Sequence, residues 1–337
     1  MNLFRRVKII IVTGALGFIG SNIISALNSK GIKDIIAVDN LDLSYKFHNL
    51  SRAEISEYID NNKFRQILHK NKIINCNAIF HQGACTNTIE SNGSYMMDNN
   101  YNFTLELFKY CQNKKIPLIY ASSASVYGNS YNYKENIENE IPINIYGYSK
   151  FLFDKFLYKN ITNLNSQVVG LRYFNVYGNN EYHKGKMASI AFHNIKRYKS
   201  KGYINLFSGY HGYDNGDQKR DFIYVEDIVN INLHFLENPQ ISGIYNCGTG
   251  IAETFNDMSA IIINNIRLKE HKKELKVSNM IKKKIIKYIE FPECLKGKYQ
   301  CFTEADLSKI NKFGNFKRKI NTIYIGIKKY IELFKNF

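Results

Sequence analysis

The sequence predicts an α/β protein with a doubly wound parallel sheet and a second, smaller α/β domain. In the first half of the chain, short apolar runs typical of buried strands alternate with segments that have helical spacing. Strands that alternate with helices pair in parallel and are covered by helices on both faces. The second half is less regular, with a glycine-rich loop and a polar, helix-rich tail, which indicates a smaller domain packed at the strand ends.

The predicted elements follow one another in a regular order. Each predicted strand is an apolar run that ends near glycine or a polar residue. The first predicted helix ends at Gly31, a residue type that favours the left-handed conformation found after helices. In chain order, the elements are the strand VKIIIVTG, the helix FIGSNIISALNSKG, the strands DIIAVDN and NAIFHQGA, the helix NFTLELFKYCQNKK, the strand PLIYASSASVYG, the helix YGYSKFLFDKFLYKN and the strand SQVVGLRYFNVYG.

Composition limits the classes of function. No apolar run approaches the ~20 residues of a membrane span, so we expect no membrane association. The 6 cysteines are scattered without a CxxC pair, which predicts neither disulfides nor a metal site and favours a reducing cytoplasm. The formal net charge of +17 comes from lysines spread along the chain, so a nucleic-acid partner is not expected. The densest lysine cluster, Lys269–Lys287, is predicted to be a solvated helix and loop.

The segment VTGALGFIGSN places Gly14, Gly17 and Gly20 between the first strand and the first helix. Glycines at this point permit a tight turn, close approach of the backbone to a pyrophosphate, and close packing of helix on sheet. The helix N-terminus adds free N–H groups and the positive end of the helix dipole. The spacing is GxxGxxG, not GxGxxG, and its position after an N-terminal strand predicts a dinucleotide site.

The residues after the second strand bear on which dinucleotide binds. Asp39 ends that strand at the position of a ribose-binding acid, and alone it predicts NAD because a carboxylate repels a 2′-phosphate. Asn40 and Lys46 follow closely, and an amide and an ammonium are able to hold that phosphate while Asp39 turns away. Those two residues favour NADP, although on spacing alone Lys46 is equally well explained as a surface lysine.

A second group of polar residues follows a later strand. YASSASVYG puts Ser123 at the strand end, on the edge where open parallel sheets bind ligands. Tyr146 and Lys150 have YxxxK spacing, which places them on one face of a helix, whereas Tyr148 points elsewhere and is expected to pack. A neighbouring ammonium and an oxidised nicotinamide would lower the pKa of Tyr146, so that it takes an alcohol proton while hydride leaves. The pattern predicts nicotinamide-dependent oxidation.

With these motifs in this order, the chain resembles the extended short-chain dehydrogenase/reductases, which act largely on nucleotide sugars. Within that family it is similar to the ADP-L-glycero-D-manno-heptose 6-epimerases in HQGACTNTIE, YMMDNNY, YASSASVYG, NIYGYSKFLFDKF, GLRYFNVYG, HKGKMASIAFH, KRDFIYVEDI, GIYNCGTG and LKGKYQCFT. The resemblance implies a Rossmann domain for NADP (1–173 and 217–248) and a domain for an ADP-heptose (174–216 and 249–337). It also implies a cytoplasmic homo-oligomer, with a pentamer suggested, that inverts C6 of the heptose for the lipopolysaccharide core.

The resemblance further implies roles for individual residues. Inversion needs an acid/base on each side of the carbon, and the family is thought to use the YxxxK tyrosine and a lysine in HKG, here Tyr146 and Lys184, with Lys150 and Ser123 completing the catalytic set. Lys184 needs a lowered pKa to act as a base, which partial burial or nearby cations supply. The implied cofactor contacts are Gly14, Gly17, Phe18, Ile19, Gly20, Asp39, Asn40, Lys46, Gln82, Gly83, Ala84, Cys85, Thr86, Asn99, Lys150, Val176 and Lys184. The implied substrate contacts are Asn175, Lys186, His193, Phe207, Ser208, Gly209, Tyr210, Arg220 and Tyr299.

Other interpretations stay open at this point. A nucleotide-sugar epimerase of the UDP-hexose 4-epimerase type would share the fold, whereas a dehydratase is disfavoured because no acidic residue directly follows Ser123. A non-catalytic nicotinamide-binding regulator would be expected to lack Tyr146 or Lys150, and both are present. Lys186 stands where the family has a serine, which leaves that substrate contact open.

Overall fold

The large sheet has seven parallel strands. A computed structural model describes residues 9–334 apart from residues 73, 74, 89 and 298, so the start of the predicted first strand, Val7 and Lys8, lies outside the described residues. The strands of the molecule are β1 (Ile10–Thr13), β2 (Ile35–Asp39), β3 (Glu57–Asp60), β4 (Ala78–His81), β5 (Leu118–Ser123), β6 (Val168–Tyr173), β7 (Asn175–Tyr177), β8 (Ile204–Phe207), β9 (Lys219–Tyr224), β10 (Gly243–Cys247), β11 (Ala252–Thr254) and β12 (Ile286–Ile289). The order across the large sheet is β3-β2-β1-β4-β5-β6-β10, with every pairing parallel. The predicted doubly wound sheet is confirmed, and its order reverses between β1 and β4, where such sheets bind ligands.

Helices cover both faces of this sheet. They are α1 (Phe18–Ser29), α2 (Asn61–His69), α3 (Gly93–Met97), α4 (Phe103–Lys114), α5 (Ile145–Asn160), α6 (Ile190–Lys201), α7 (Val225–Glu237), α8 (Phe255–Lys269), α9 (Val277–Lys282), α10 (Ser308–Lys312) and α11 (Ile323–Leu333). One apolar layer holds α1 and α7, and the opposite layer holds α2, α4 and α5. All four residues of β1 are buried because both faces are covered.

Two smaller sheets lie beyond the large one. β9 pairs in parallel with β7 and antiparallel with β11, and β8 pairs in parallel with β12. Helices α6, α8, α9 and α11 pack around them in a third apolar cluster, which also contains Phe18 from the first turn of α1. This cluster therefore lies next to the glycine turn, which Phe18 directly follows. The predicted division of the chain into two domains stays a prediction.

One predicted strand is two strands in the structure. The segment SQVVGLRYFNVYG forms β6 in the large sheet and β7 in a small sheet, with Phe174 buried between them. The break is explained by the neighbouring strand β5, which ends at Ser123, the partner of Tyr173. Beyond Tyr173 the large sheet therefore offers no further partner on the β5 side. Beyond it, β7 pairs with β9.

The lysine-rich segment Lys269–Lys287 is more structured than predicted. It contains α9 and the start of β12, and the side chains of Met280 and Ile286 are buried. Its lysines are exposed, so isolated apolar residues between them carry the packing. The prediction of a solvated helix and loop is confirmed for α9 and the exposed lysines and is wrong for β12, since two buried residues give too short a pattern to be recognised in the sequence.

Two further elements, β3 and α2, are absent from the sequence prediction. The Asp60 side chain accepts a hydrogen bond from the backbone N–H of Asn62 and so caps α2. Across residues 9–334, outside the gaps given above, no helix is long and apolar enough to cross a membrane.

Candidate active site

The turn between β1 and α1 permits close approach of a ligand to the backbone. Gly14 has a φ of +63°, and a Cβ at this position would lie 2.6 Å from the backbone nitrogen of Gly83. A Cβ on Gly20 would lie 2.2 Å from the carbonyl oxygen of Gly14, so glycine is required at both positions. No side chain among the described residues caps the N-terminus of α1, which leaves its first N–H groups to a phosphate. The turn therefore fits the pyrophosphate of a dinucleotide.

A cleft of 390 Å³ opens beside this turn. Its walls come from the turn, the end of β2, the loop after β4 and the segment that carries Lys184. The predicted cofactor residues that line it are Gly14, Gly17, Phe18, Ile19, Gly20, Asp39, Asn40, Lys46, Gln82, Gly83, Ala84, Cys85, Thr86, Asn99 and Lys184. Two predicted cofactor residues lie outside this lining: Lys150 is buried against β5, and Val176 packs between apolar clusters.

Asp39, at the end of β2, is buried and turned towards the glycine turn. Its carboxylate accepts hydrogen bonds from the backbone N–H groups of Leu16, at 2.8 Å, and Asn40, at 2.7 Å. The Nζ of Lys46 lies 2.7 Å from the same carboxylate. Because the carboxylate is satisfied by two N–H groups and an ammonium, its repulsion of a nearby phosphate is weakened. Lys46 also lines the cleft, where its charge is available to a phosphate.

The loop after β4 is fastened by Asn100, which is 1% exposed and lies in a π-helical turn, Asp98–Asn102. The Asn100 side chain accepts from the backbone N–H of Cys85 at 2.8 Å and donates to its carbonyl oxygen at 3.0 Å. It also donates to the Ser149 hydroxyl, which in turn donates to the carbonyl oxygen of Tyr146. One amide thus links the cleft loop to the turn of α5 that carries Tyr146. Such π-helical turns are frequent at functional sites.

Tyr146 and Lys150 lie one turn apart in α5, as predicted. The Tyr146 hydroxyl hydrogen-bonds with Ser123 at the end of β5. Lys150 is 4% exposed, and its Nζ donates to the carbonyl oxygen of Ala121 at 2.7 Å. The structure therefore brings Ser123 to the tyrosine and anchors the lysine on the adjacent strand.

Burial acts on the titratable groups of this pair. It raises the pKa of Tyr146, while the hydrogen bond with Ser123 opposes the rise. The Cys85 thiol on the cleft wall is close enough to raise that pKa further. Burial lowers the pKa of Lys150 to about 8, against the attraction of Asp154. The predicted lowering of the tyrosine pKa requires a bound nicotinamide as well as the ammonium and stays a prediction, while in the chain by itself burial raises that pKa.

A buried polar network holds the end of β5 against α5. Arg172 of β6 is fully buried, with nitrogens 2.9 Å from Asp154 of α5 and 2.7 Å from Glu140. Asp154 also accepts from the hydroxyls of Tyr120 and Ser122, each at 2.7 Å. A buried charge that loses its partner is strongly destabilising, so these links fix the strand end that carries the predicted catalytic serine.

Lys184 lies in a 3-10 segment, Tyr182–Met187, between β7 and α6. Its Nζ is 5.4 Å from the ring centre of Phe18 in α1. Burial lowers the pKa of Lys184, as expected for a lysine that acts as a base, and the charge of Glu181 opposes the shift. Lys184 therefore reaches the cleft beside α1, whereas Tyr146 comes from α5 in the opposite helix layer.

Aromatic side chains gather at the predicted substrate site. Tyr210 stacks on Phe291 with ring centres 4.1 Å apart, and Phe207 lies 5.3 Å from the same phenylalanine. The guanidinium of Arg220 lies 4.7 Å from the ring centre of Tyr299, which is itself 6.5 Å from Phe207. We call these five residues the aromatic group. A cation beside aromatic faces suits a nucleotide, because the base stacks and the diphosphate is anionic.

The other predicted substrate residues lie on separate segments. Asn175 opens β7 and is exposed, Lys186 is exposed, and His193 is partly buried in α6. Ser208 and Gly209 follow β8 in the loop that leads to the aromatic group. Their contacts with a substrate stay predictions.

A sequence model of the NAD dependent epimerase/dehydratase family matches residues 10–248, which include the glycine turn, Ser123, Tyr146 and Lys184. The chain belongs to this family. An epimerase/dehydratase of this family uses a nicotinamide dinucleotide, which the turn and cleft fit.

Solved structures of other epimerases share the fold over almost their whole length. The ADP-L-glycero-D-manno-heptose-6-epimerase of Helicobacter pylori is 28% identical, with 99% of this chain and 98% of that chain covered and a TM-score of 0.80. The UDP-N-acetylglucosamine 4-epimerase of Methanobrevibacter ruminantium, in complex with UDP-N-acetylmuramic acid, is 25% identical, with 97% of each chain covered and a TM-score of 0.76. The UDP-glucose 4-epimerase of Thermotoga maritima, at 24% identity, 96% and 97% coverage and a TM-score of 0.74, shares the fold. The chain is therefore placed among nucleotide-sugar epimerases and dehydratases.

Several site residues of this epimerase/dehydratase escaped sequence analysis. Asn100 lies within YMMDNNY, but its role was not recognised because its contacts come from the loop after β4 and from α5. Phe291 is far in sequence from Tyr210, on which it stacks. His183 is the first residue of the HKG motif and Glu181 lies two residues before it, and that proximity is the signal that would have found them.

Proposed function

We propose that the protein is an ADP-L-glycero-D-manno-heptose 6-epimerase, which converts ADP-D-glycero-D-manno-heptose to its C6 epimer. The observation that carries the proposal is the pair of acid/base groups: Lys184 lines the cleft beside α1, and Tyr146 of α5 is linked through Ser149 and Asn100 to Cys85 on the cleft wall. Inversion through a ketone requires proton transfer with the sugar in two orientations, which one group in a fixed position serves poorly. The 28% identity to the Helicobacter pylori enzyme, over 99% of this chain, supports the choice of substrate.

The side chains of the site have separate tasks in the proposed reaction. A nicotinamide dinucleotide, when bound, supplies the hydride acceptor and donor for transient oxidation of the C6 alcohol. Tyr146 takes the hydroxyl proton in one orientation of the sugar, and Ser123, its hydrogen-bond partner, holds the substrate oxygen. Lys184 exchanges a proton with the same oxygen in the other orientation. Its pKa is lowered by burial, which favours a neutral amine able to accept a proton.

The aromatic group supports an ADP-sugar as the substrate class. Arg220 is 6% exposed, so its guanidinium is held in place beside Tyr299 and available to a diphosphate as a fork of donors. Tyr210 and Phe207 provide ring faces for a base. The net charge of +17 also attracts an anionic substrate.

We also propose NADP as the cofactor, because Lys46 satisfies Asp39 and still lines the cleft. An ammonium in this place attracts a 2′-phosphate, while the neutralised carboxylate opposes it weakly. A homo-oligomeric state, a cytoplasmic location and a role in lipopolysaccharide core synthesis stay predictions from the resemblance.

A UDP-sugar 4-epimerase is the second candidate. The Methanobrevibacter ruminantium enzyme, which holds UDP-N-acetylmuramic acid, is 25% identical over 97% of this chain, close to the value for the heptose epimerase. The same helix layers and the same aromatic group would serve a UDP-sugar.

The test is a panel of substrates followed by NMR. The purified protein is incubated separately with ADP-D-glycero-D-manno-heptose, UDP-N-acetylglucosamine and UDP-glucose, and mass spectrometry identifies the dinucleotide released on denaturation. We expect inversion of the ADP-heptose at C6, no turnover of either UDP-sugar, and NADP as the released dinucleotide. Turnover of a UDP-sugar without inversion of the ADP-heptose would select the second candidate.

A further inference from the structure

A buried carboxylate lies three residues before Lys184. Glu181 is 1% exposed and accepts hydrogen bonds from the backbone N–H of Gly178, at 3.1 Å, and from the hydroxyl of Ser189, at 2.8 Å. It also accepts from the backbone N–H of Ser189 and, at 3.0 Å, from the hydroxyl of Tyr330 in α11. Burial raises the pKa of Glu181, but every partner described for this carboxylate is a donor, and these bonds and the charge of Lys184 favour its ionised form.

These bonds close the loop that carries the proposed second acid/base. Gly178 precedes the 3-10 segment Tyr182–Met187, and Ser189 follows it as the N-cap of α6. The backbone N–H of Lys184 donates to the carbonyl oxygen of Glu181 at 3.0 Å. Both ends of the loop are therefore gathered on one side chain, and α11 reaches that side chain through Tyr330.

The charges around Lys184 single out Glu181. His183 precedes Lys184, but burial and the charges of Lys46 and Lys184 lower the pKa of His183 to about 4, so it is neutral near pH 7. Lys46, from the segment after β2, is paired with Asp39. On the α1 side, Lys184 faces the apolar ring of Phe18.

The negative charge that acts on Lys184 is that of Glu181, and it raises the pKa of Lys184 against the effect of burial.

We propose that Glu181 is a positioning residue for Lys184. Its carboxylate holds the lysine loop in place with the help of Tyr330 from α11, and its charge, one 3-10 turn before Lys184, favours the protonated lysine. This inference rests on the proposed function, in which Lys184 is the second acid/base. Glu181 touches the loop and not the substrate, so its effect is exerted through Lys184.

The kinetic test compares Glu181→Gln and Tyr330→Phe with two controls that change α11 or its surroundings at the surface. The controls are Tyr324→Phe, which alters an exposed tyrosine of α11, and Glu226→Gln, which breaks a surface ion pair with Lys329 of α11. We expect Glu181→Gln to lower kcat about 10- to 100-fold. In the plot of kcat against pH, the limb that reports the titration of Lys184 should move to lower pH, because the attraction that raises the lysine pKa is lost. Tyr330→Phe keeps the charge of Glu181, so kcat should fall less and the Lys184 limb of the pH profile should not move. Both controls should behave as the wild type.

A second readout needs no substrate. The resting protein is labelled with acetic anhydride across a pH series, and mass spectrometry follows the peptide that contains Lys184. The labelling midpoint of Lys184 is expected at lower pH in Glu181→Gln than in the wild type.

The two readouts separate the possible failures. If the wild type does not invert ADP-heptose but the midpoint shifts, the proposed function fails and the control of Lys184 by Glu181 stands. Identical labelling curves in the wild type and Glu181→Gln would overturn the inference. If Glu181→Gln does not fold, Tyr330→Phe decides, and a wild-type kcat in that variant would overturn the link through α11.

Discussion

Tyr146 and Tyr148 lie two positions apart at the start of α5 and point in different directions. The Tyr146 hydroxyl bonds with Ser123, whereas Tyr148 is 44% exposed and contacts the ring of Phe151. Helical spacing in the sequence was enough to choose between them. The expectation that Tyr148 packs is met in part, since its ring contacts Phe151 but remains 44% exposed.

The first prediction uses this pair as a matched set. Tyr146→Phe removes the hydroxyl that exchanges the substrate proton, so we expect kcat to fall about 100- to 10,000-fold. Tyr148→Phe removes an exposed hydroxyl from the same helix turn and is expected to keep wild-type activity. The measurement is the rate of C6 inversion of ADP-heptose by NMR. Equal rates in the two variants would remove Tyr146 from the mechanism.

The second prediction concerns Lys46. Lys46→Ala removes the ammonium beside Asp39, which leaves a carboxylate that repels a 2′-phosphate and is free to bind a ribose hydroxyl. We expect the affinity for NADP to fall about 10-fold or more relative to that for NAD. Titration of the cofactor-stripped protein with each dinucleotide measures the ratio, and Lys70→Ala, an exposed lysine at the end of α2, is the control. An unchanged ratio in Lys46→Ala would contradict the role given to Lys46.

At the scale of the element, α5 carries a lysine whose charge is held in the interior. The Nζ of Lys150 bonds with Ala121 of β5, and burial lowers its pKa to about 8. The unfolded chain has the ordinary lysine pKa of about 10.4, so between these two values the unfolded state binds more protons than the folded state. The contribution of Lys150 to stability therefore rises as the pH rises from 8 towards 10.4. Below pH 8 the buried ammonium costs roughly 3 kcal/mol.

The third prediction follows from this rise in stability with pH. The free energy of unfolding of the wild type is expected to increase relative to that of Lys150→Met between pH 7 and pH 10, by up to about 3 kcal/mol. Urea unfolding at both pH values measures the difference, and effects of other groups cancel in the comparison. Lys159→Met changes an exposed lysine of the same helix, so the difference in free energy of unfolding between the wild type and this variant should be the same at pH 7 and pH 10. A wild-type minus Lys150→Met difference that does not change with pH would show that burial does not perturb Lys150.

Elements whose pattern is long and regular could be predicted from the sequence, and shorter ones could not. The strands β1, β2, β4, β5 and β6 and the helices α1, α4 and α5 were found because both faces of the sheet are buried, which makes long apolar runs. The break between β6 and β7 depends on where β5 ends, which is a property of the neighbouring strand. The packing of α9 and β12 rests on isolated apolar residues among lysines, whose burial only the tertiary fold determines.

At the scale of the whole molecule, the site joins segments that are far apart in the chain. Motif spacing predicted the glycine turn, Asp39 and Tyr146, because each motif is a local strand-to-helix feature, and the family resemblance implied most of the other residues that line the cleft. The links that hold these parts together were not predictable. Asn100 joins a loop to α5, and Glu181 joins the lysine loop to α11, and neither contact leaves a periodic trace in the sequence.

The fourth prediction follows ADP-D-glycero-D-manno-heptose with the purified protein in D₂O by ¹H NMR. Oxidation at C6 followed by return of the same hydride retains the original hydrogen on that carbon, whereas removal of the C6 proton by a base would exchange it with solvent. We predict a mixture of the two C6 epimers with no deuterium at C6. Deuterium at C6 in the product, or no epimer at all, would contradict the proposed reaction.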